Sequence, residues 1–285
     1  MSISNGTDSV TFHNLNAFSL SQCLCCGQTF RWKPQGGGFA GVALGHAVYA
    51  EQTGQDLVLH GIPHTMAADF ARYFDLERNY ALIQSSYASD PFLTEGIRYA
   101  KGLRVLRQPY FETLISFIIS ANNNVGRISR IVETLCERYG EPIPGGHDFP
   151  MPDRLAALST EELKACGTGY RAEYIIGTAR MICDGFSLDA VAAMPYEHAR
   201  VKLTELPGVG LKVADCVALY GMGFMRSFPL DVWMRRVICG VYRYKGKNDG
   251  DMRRFVDRTF GETAGIAQQY LFHYARHHKE AVCAP

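Results

Sequence analysis

The chain has 285 residues, 47% of them hydrophobic and 20% charged, a composition typical of a globular protein with a substantial buried core. A formal net charge of +1 excludes a broadly electropositive surface. The sequence contains no apolar run near the roughly 20 residues that span a bilayer, and no signal-peptide pattern at its start, so we expect an intracellular protein without membrane contact.

The first part of the chain is predicted to form an antiparallel sheet. Alternation of apolar and polar residues predicts strands at 28–33, 39–44, 46–50 and 57–60, separated by turns rich in glycine. Short strands joined by such turns are typical of antiparallel pairing. We expect this sheet and a flanking helix to form a domain over residues 1–95.

The rest of the chain is predicted to be helical, because the apolar spacing changes to a helical period after about residue 65. One helix around Phe111–Ile118 is broken by three asparagines, and a second ends at Gly140. After a connector rich in proline and glycine, helices are expected at 160–166, 171–184, 196–205, 211–221, 231–243, 250–260 and 262–278. The sequence therefore predicts an α+β protein whose helical body covers residues 96–285.

The most informative segment lies at about 196–221, where Leu-Pro-Gly-Val-Gly at 206–210 predicts a helix–hairpin–helix motif. Glycines adopt positive φ angles and let a partner approach closely, and N–H groups at a helix start bind phosphate. We therefore expect Gly208, Val209 and Gly210 to contact a DNA phosphate. A tight turn between packed helices is the alternative, which Gly-x-Gly alone would favour.

Lys212 lies in the first turn of the second hairpin helix. A solvated lysine is the ordinary interpretation, since lysine is a good helix former. A cation at a helix N-terminus opposes the helix dipole, however, and this favours the neutral amine that attacks a sugar C1′ and leaves a Schiff base. Cys216 lies one turn further on the same face and is predicted to line the same pocket.

Asp231 is predicted to begin the helix at 231–243, where its ordinary role is an N-cap worth about 1 kcal/mol. Capping leaves one carboxylate oxygen free. A carboxylate near a sugar stabilises the oxocarbenium-like charge that develops as a glycosidic bond breaks. Lys212 and Asp231 are therefore the candidate catalytic pair.

The hairpin, Lys212 and the approach to Asp231 together resemble the helix–hairpin–helix, Gly/Pro–Asp superfamily of DNA glycosylases. Within it the sequence resembles the 8-oxoguanine DNA glycosylase/AP lyase family, from Gly27-Gln-Thr-Phe-Arg-Trp32 to the last long helix. The resemblance implies that Lys212 is the Schiff-base nucleophile and Asp231 the catalytic carboxylate. It implies excision of 8-oxoguanine from double-stranded DNA in base excision repair, followed by β-elimination that nicks the strand.

The resemblance also assigns residues to a base pocket. Gly27 matches the glycine whose carbonyl accepts the N7 proton that 8-oxoguanine has and guanine lacks. Gln268 matches the amide that binds the pairing edge of the damaged base, and Phe272 matches the ring that stacks on it. From the residues alone, Gly27 is a turn residue and Phe272 a core residue.

A further group is assigned to the site of base extrusion. Asn122 matches the residue that fills the gap left by the base, and Tyr170 matches the wedge in the base stack. Arg127 and Arg171 match arginines that contact the orphaned cytosine, which implies a preference for 8-oxoguanine opposite cytosine. From the residues alone, Asn122 belongs to a helix-ending turn, Arg127 to a surface and Tyr170 to helix-start packing.

Two positions depart from the family pattern. Trp233 stands where eukaryotic members usually carry a phosphate-binding histidine, and Tyr220 replaces an aliphatic or thioether residue of the pocket wall. The first departure concerns the local phosphate contact, and the second concerns the fit of the base in the pocket.

Nine cysteines lack the spacing of a zinc site or of an iron–sulfur loop, so we expect reduced thiols, no metal and no cofactor. The chain is expected to act as a monomer. Three other functions stay open: a glycosylase for alkylated bases that uses Asp231 alone, a non-catalytic DNA-binding module, and a lyase acting mainly on abasic sites.

Overall fold

A computed structural model describes residues 1–246 and 248–282, so residues 283–285 of the predicted helical body lie outside it. The N-terminal part is a six-stranded sheet in the spatial order β1-β2-β6-β5-β4-β3, and every neighbouring pair is antiparallel. The strands are β1 (Ser2–Asn5), β2 (Ser9–His13), β3 (Trp32–Gln35), β4 (Gly38–Ala43), β5 (His46–Thr53) and β6 (Asp56–His60).

The sheet differs from the prediction at both of its edges. β1 and β2 were not predicted: all four residues of β1 are exposed, so an edge strand of this kind has no apolar alternation. β2 does alternate, with Val10 and Phe12 buried. β3 begins at Trp32 rather than at residue 28, because Gln28 is fully buried in irregular backbone.

Helices make up most of the remaining chain, which confirms the predicted α+β class. Their bounds are α1 (Leu20–Cys25), α2 (Ala67–Tyr73), α3 (Tyr80–Ser86), α4 (Pro91–Tyr99), α5 (Tyr110–Ser120), α6 (Val125–Tyr139), α7 (Pro152–Ala156), α8 (Thr160–Ala165), α9 (Ala172–Cys183), α10 (Leu188–Ala192), α11 (Tyr196–Leu203), α12 (Leu211–Tyr220), α13 (Val232–Arg236), α14 (Asp249–Phe260), α15 (Ala264–His277) and α16 (Lys279–Val282). In the described ranges no helix is long and apolar enough to cross a membrane.

Each helix predicted beyond residue 160 is present, although one of them is shorter than expected. α13 ends at Arg236 and continues as a π-helical turn over Val237–Val241. The predicted connector contains a small hairpin formed by β7 (Pro142–Ile143) and β8 (Gly146–His147). The short helices α7 and α10 were not predicted, since five residues are too few to establish a helical period.

Two hydrophobic clusters form the core. The smaller one lies between the sheet, α1 and α2, and receives Leu106 from beyond them. The larger one lies among the helices from α3 to α15 and also takes in Cys26 and Phe30 from the segment between α1 and β3. That segment therefore leaves the core of the sheet and enters the helical body. The domain division at residue 95 stays a prediction.

Buried amide side chains fix the backbone of this irregular segment. The Nε2 atom of Gln28 donates to the carbonyls of Cys23 and Arg104, at 2.8 Å each. Its Oε1 atom accepts the N–H of Leu106 at 2.9 Å, and Gln108 donates to the Gln28 carbonyl at 2.8 Å. Because backbone groups outside helices and strands need other partners when buried, these bonds determine the path of the chain here.

We expect Gln28→Met to lower the free energy of unfolding by about 3 kcal/mol, because the buried N–H and carbonyl groups that Gln28 satisfies lose their partners. Urea unfolding should show a lower midpoint with an unchanged slope. Gln35→Met, at an exposed position of β3, should change the free energy by less than about 0.5 kcal/mol. Equal midpoints for both variants would show that the Gln28 bonds contribute little.

Candidate active site

A cavity of about 700 Å³ opens where the segment after α1, the loop between α5 and α6, the hairpin and α15 meet. Most of the residues predicted for the site line this cavity: Gly27, Asn122, Gly208, Gly210, Lys212, Cys216, Asp231, Gln268 and Phe272. The other predicted residues lie outside its lining: Arg127, Tyr170, Arg171 and Val209.

The hairpin between α11 and α12 has the predicted shape, with one correction. Gly208 has φ +74°, and a Cβ atom there would lie 2.7 Å from the Cβ of Tyr174, so glycine is required. Gly210 has φ −83°, so the expected positive φ is wrong for this residue. The space that its Cβ would occupy is open, which leaves the backbone accessible to a partner.

The start of α12 presents backbone donors. Gly210 is the N-cap of α12, and within the described chain no side chain caps this end of the helix. The first N–H groups of a helix lack partners inside it. The N–H of Val209, in contrast, already donates to the Leu206 carbonyl at 3.1 Å, and its side chain is buried. The accessible donors therefore begin at Gly210.

A buried ion-pair cluster fixes the two hairpin helices to each other. Asp215 on α12 is fully buried and accepts from Arg200 at 2.7 Å and from Tyr196 at 2.9 Å, both on α11. Arg253 on α14 donates to the other carboxylate oxygen at 2.6 Å. Since removing one partner of a buried pair is strongly unfavourable, the cluster determines how α12 presents Lys212.

The amine of Lys212 is held against α5. Its Nζ atom donates to Ser120 Oγ at 3.1 Å and lies 5.3 Å from the centroid of the Phe117 ring. Cys216 follows one turn later and is buried, and burial raises the pKa of its thiol to about 12. The thiol therefore stays neutral beside the amine. Sequence reasoning missed Ser120, because nothing local to α5 indicates a contact with α12.

Asp231 is the N-cap of α13, as expected. One carboxylate oxygen accepts the N–H of Met234 at 2.8 Å, and the residue lines the cavity. Burial raises the pKa of Asp231 above its ordinary value, although the Met234 bond and the charge of Lys212 oppose the rise. The cavity thus contains an amine and a carboxylate in a partly desolvated setting.

Gly27 occupies a crowded point at the opposite wall. Its φ is +88°, and a Cβ atom would lie 2.9 Å from Nη1 of Arg276 and 3.8 Å from the ring of Phe272. The guanidinium carbon of Arg276 lies 5.2 Å from the centroid of that ring. Arg276 was missed, although its position four residues after Phe272 places both on one face of α15.

Two further aromatic residues complete the wall. The Tyr220 ring stacks on Phe117 at 5.3 Å between centroids, and its hydroxyl contacts the side chains of Gln268 and Gln269. Trp233 also lines the cavity, and the guanidinium carbon of Arg236 is 5.1 Å from its ring centroid. Both departures from the family pattern are therefore part of the cavity wall.

The three asparagines between α5 and α6 have separate roles. Asn124 is the N-cap of α6, and Asn123 donates to the Ile119 carbonyl at 3.2 Å. Asn122 has φ +50°, is exposed, and approaches the hydroxyl of Tyr170 at 3.4 Å. All three asparagines thus belong to the turn that ends α5, and Asn122 also lines the cavity.

The predicted wedge and cytosine contacts lie beside Asn122. Tyr170 is 54% exposed, and Arg127 is exposed on the first turn of α6. Arg171 is buried and donates to the carbonyls of Ala121 at 2.9 Å, of Thr168 at 3.1 Å and of Asn122 at 3.3 Å. Its guanidinium therefore supports the Asn122 turn.

Asp231→Asn tests whether the pKa of Asp231 is raised in the folded protein. A carboxyl whose pKa is raised on folding stabilises the fold below its unfolded pKa, and this contribution is lost as the pH rises through the folded pKa. We therefore expect D231N, which keeps the N-cap, to melt at a higher temperature than the wild type near pH 7. The difference should shrink as the pH falls towards about 4.

Asp249→Asn is the matched control, because Asp249 begins a helix but a hydrogen bond from Arg235 lowers the pKa of its carboxyl. D249N should not raise the melting temperature near neutral pH. If D231N melts below the wild type at neutral pH, the conclusion that folding raises the pKa of Asp231 is contradicted.

Comparison with known proteins gives a consistent result. Residues 10–114 match the 8-oxoguanine DNA glycosylase N-terminal domain, and residues 115–260 match the HhH-GPD superfamily of base excision DNA repair proteins. A probable N-glycosylase/DNA lyase of Methanothermobacter thermautotrophicus is 35% identical over 71% of this chain and 71% of its own length. The N-glycosylase/DNA lyase OGG1 of Arabidopsis thaliana is 32% identical over 86% of this chain and 74% of its own length.

A solved structure has the same fold throughout. It is the Clostridium acetobutylicum 8-oxoguanine glycosylase/lyase in complex with double-stranded DNA containing cytosine opposite 8-oxoguanine. The TM-score is 0.93 at 33% identity, covering 98% of this chain and 99% of that chain. This chain therefore belongs to the 8-oxoguanine DNA glycosylase family of the HhH-GPD superfamily.

Proposed function

We propose that this protein is a bifunctional DNA glycosylase and AP lyase that excises 8-oxoguanine from double-stranded DNA, preferentially opposite cytosine. The observation that carries the proposal is the arrangement of the cavity. Lys212 and Asp231 lie on the same cavity as Gly27, Gln268 and Phe272, which are the residues expected to recognise the base. Relatives named as N-glycosylase/DNA lyases, and a solved relative bound to such DNA, support it.

DNA docks on the face that carries the cavity mouth. The N–H groups at the start of α12 bind a backbone phosphate, and Gly210 lets that phosphate approach. Arg236, held over Trp233, supplies positive charge at the same mouth. Tyr170 enters the base stack, Asn122 fills the gap, and the extruded base enters the cavity. One chain supplies the whole site, so we propose a monomer.

Lys212 and Asp231 carry out the chemistry in this proposal. The neutral amine attacks C1′ of the extruded nucleotide, the bond from C1′ to the base nitrogen breaks, and the base leaves with that electron pair and takes up a proton. The Asp231 carboxylate stabilises the positive charge that develops on the sugar. The nitrogen lone pair then breaks the C1′–O4′ bond and O4′ takes up a proton, which gives the Schiff base. The Schiff base acidifies the C2′ proton, and loss of this proton expels the 3′ phosphate and nicks the strand.

Discrimination against guanine is assigned to Gly27. Its carbonyl accepts the N7 proton of 8-oxoguanine, whereas guanine has no proton there and leaves a buried acceptor unpaired. Such a group costs about 1–3 kcal/mol. The positive φ of Gly27 and the nearness of Arg276 leave no room for a side chain at this position.

Lys212→Gln tests the nucleophile. On a duplex with 8-oxoguanine opposite cytosine, the wild type should nick the damaged strand without added alkali, and K212Q should be slower by on the order of a thousandfold or more. The readout is a denaturing gel under single-turnover conditions. Lys202→Gln, at a lysine on α11 that pairs with Glu205, is the matched control and should nick normally. Normal nicking by K212Q would refute the assignment.

Arg127→Ala tests the proposed reading of the opposite strand. We expect the wild type to excise 8-oxoguanine about tenfold faster opposite cytosine than opposite adenine, and R127A to lose most of that preference. Arg130→Ala, at an exposed arginine one turn further on α6, should keep it. Equal wild-type rates with all four opposite bases would refute the preference itself.

A further inference from the structure

Tyr220, Gln268 and Gln269 form a buried polar cluster in the wall of the cavity. Their exposed fractions are 4%, 2% and 0%, and one hydroxyl contacts both amides. Buried polar groups in folded proteins are almost always paired, and each pairing has a direction from donor to acceptor. The donor and the acceptor of each hydrogen bond in the cluster can therefore be assigned, starting from a group that has only one possible role.

This group is the backbone carbonyl of Cys26, which can only accept a hydrogen bond. Gln269 lies with Nε2 at 3.5 Å from this carbonyl, so its amide nitrogen faces Cys26 and its oxygen faces Tyr220. The Tyr220 hydroxyl approaches this oxygen at 2.5 Å. Burial raises the pKa of Tyr220 well above its ordinary value, so the hydroxyl keeps its proton. That single proton is donated to Gln269.

Gln268 contacts the other side of the same hydroxyl. In the structure, Oε1 of Gln268 is the side-chain atom that lies 3.3 Å from the Tyr220 oxygen. Because the only proton of the hydroxyl already points to Gln269, what remains on this side is a lone pair, which pairs only with a donor. With Oε1 at this point two acceptors would face each other, so we assign the Gln268 amide the reverse orientation, which places its NH₂ against Tyr220. Its carbonyl oxygen then faces the cavity.

We propose that Tyr220 is a positioning residue that sets the direction of the Gln268 amide, so that the pocket presents a hydrogen-bond acceptor to the pairing edge of the extruded base. This inference rests on the proposed function and deepens it. A guanine-type edge offers its N1–H and its N2 amino group as donors, whereas an adenine-type edge has an acceptor at N1. Tyr220 therefore adds selection for a guanine-type edge to the sensing of N7 by Gly27.

The ring of Tyr220 allows the hydroxyl to be tested by itself. It stacks on Phe117 with an interplanar angle of 15°, and Phe117 in turn contacts the Lys212 amine. Tyr220→Phe retains this stack and removes only the oxygen that orients Gln268. Without it, the Gln268 amide is free to present either its oxygen or its nitrogen to the base.

The experiment compares three single-turnover rates for each protein: excision of 8-oxoguanine, excision of 8-oxoadenine, and incision of a preformed abasic site, all opposite cytosine. For Y220F we expect 8-oxoguanine excision to fall about tenfold more than abasic incision, the effect of one hydrogen bond. Its selectivity for 8-oxoguanine over 8-oxoadenine should fall similarly. Gln269→Met, which removes the anchor at Cys26, should give the same pattern.

Tyr270→Phe is the matched control. Tyr270 lies on α15, the helix that also carries Gln268, but it does not line the cavity. Its buried hydroxyl donates to the Leu103 carbonyl at 2.9 Å and accepts from Gln84. Y270F should lose stability while keeping wild-type ratios among the three rates.

Wild-type ratios in Y220F would overturn the positioning role, and so would losses in Y220F that are equal for all three substrates. A wild-type protein that incises abasic DNA but leaves 8-oxoguanine in place would overturn the proposed function together with this role. A wild-type protein that excises 8-oxoguanine, with Y220F unaltered, would overturn the role alone.

Discussion

Cys26 and Gln28 are buried, and the backbone that joins them belongs to no helix or strand, so its polar groups depend on side-chain amides. Gln108 and Gln269 donate to the carbonyls of Gln28 and Cys26, and the side chain of Gln28 donates in turn to the carbonyls of Cys23 and Arg104. The partners therefore come from separate parts of the chain. Sheet, helical body and α15 must therefore all be in place before this segment adopts one path. The side of the cavity that we propose to recognise the base is thus a consequence of tertiary folding.

The wall of the cavity that carries Lys212 and Asp231, the proposed reactive pair, is held in place by different interactions. A buried ion-pair cluster around Asp215 sets the orientation of α12, and with it the position of Lys212. The N-cap bond of Asp231 sets the start of α13. Asp231 lies where burial disfavours its charge, and this raises the pKa of its carboxyl. The fold thus retains a carboxylate that costs stability at neutral pH, which is typical of catalytic groups.

The positions of Lys212 and Asp231 at helix starts were predictable from local sequence. Leu-Pro-Gly-Val-Gly between two periodic helices indicates the hairpin, and Lys212 and Asp231 occupy helix starts that sequence patterns identify. Gly27 and Phe272 carry no such local signal, and only the family resemblance assigned them. The predicted strand at 28–33 was wrong at its start because Phe30 and Trp32, although both apolar, are buried in different clusters.

Contacts between distant parts of the chain could not be predicted. Ser120 meets Lys212 across 92 residues, and Tyr220 meets Gln269 across 49. Neither pair leaves a periodic or motif-like trace, since the pattern in each helix reports only which face is buried. Tyr220 was visible as a departure from the family, but its role depends on partners that only the fold brings together.

The central claim is that Lys212 forms a covalent bond to the sugar during excision. The most direct measurement is reduction with borohydride while the protein acts on a duplex carrying 8-oxoguanine opposite cytosine, followed by proteolysis and mass spectrometry of the trapped adduct. The account predicts one DNA-modified peptide, with the modification on Lys212. Release of 8-oxoguanine without any adduct, or an adduct on another amine such as Lys33, would contradict it.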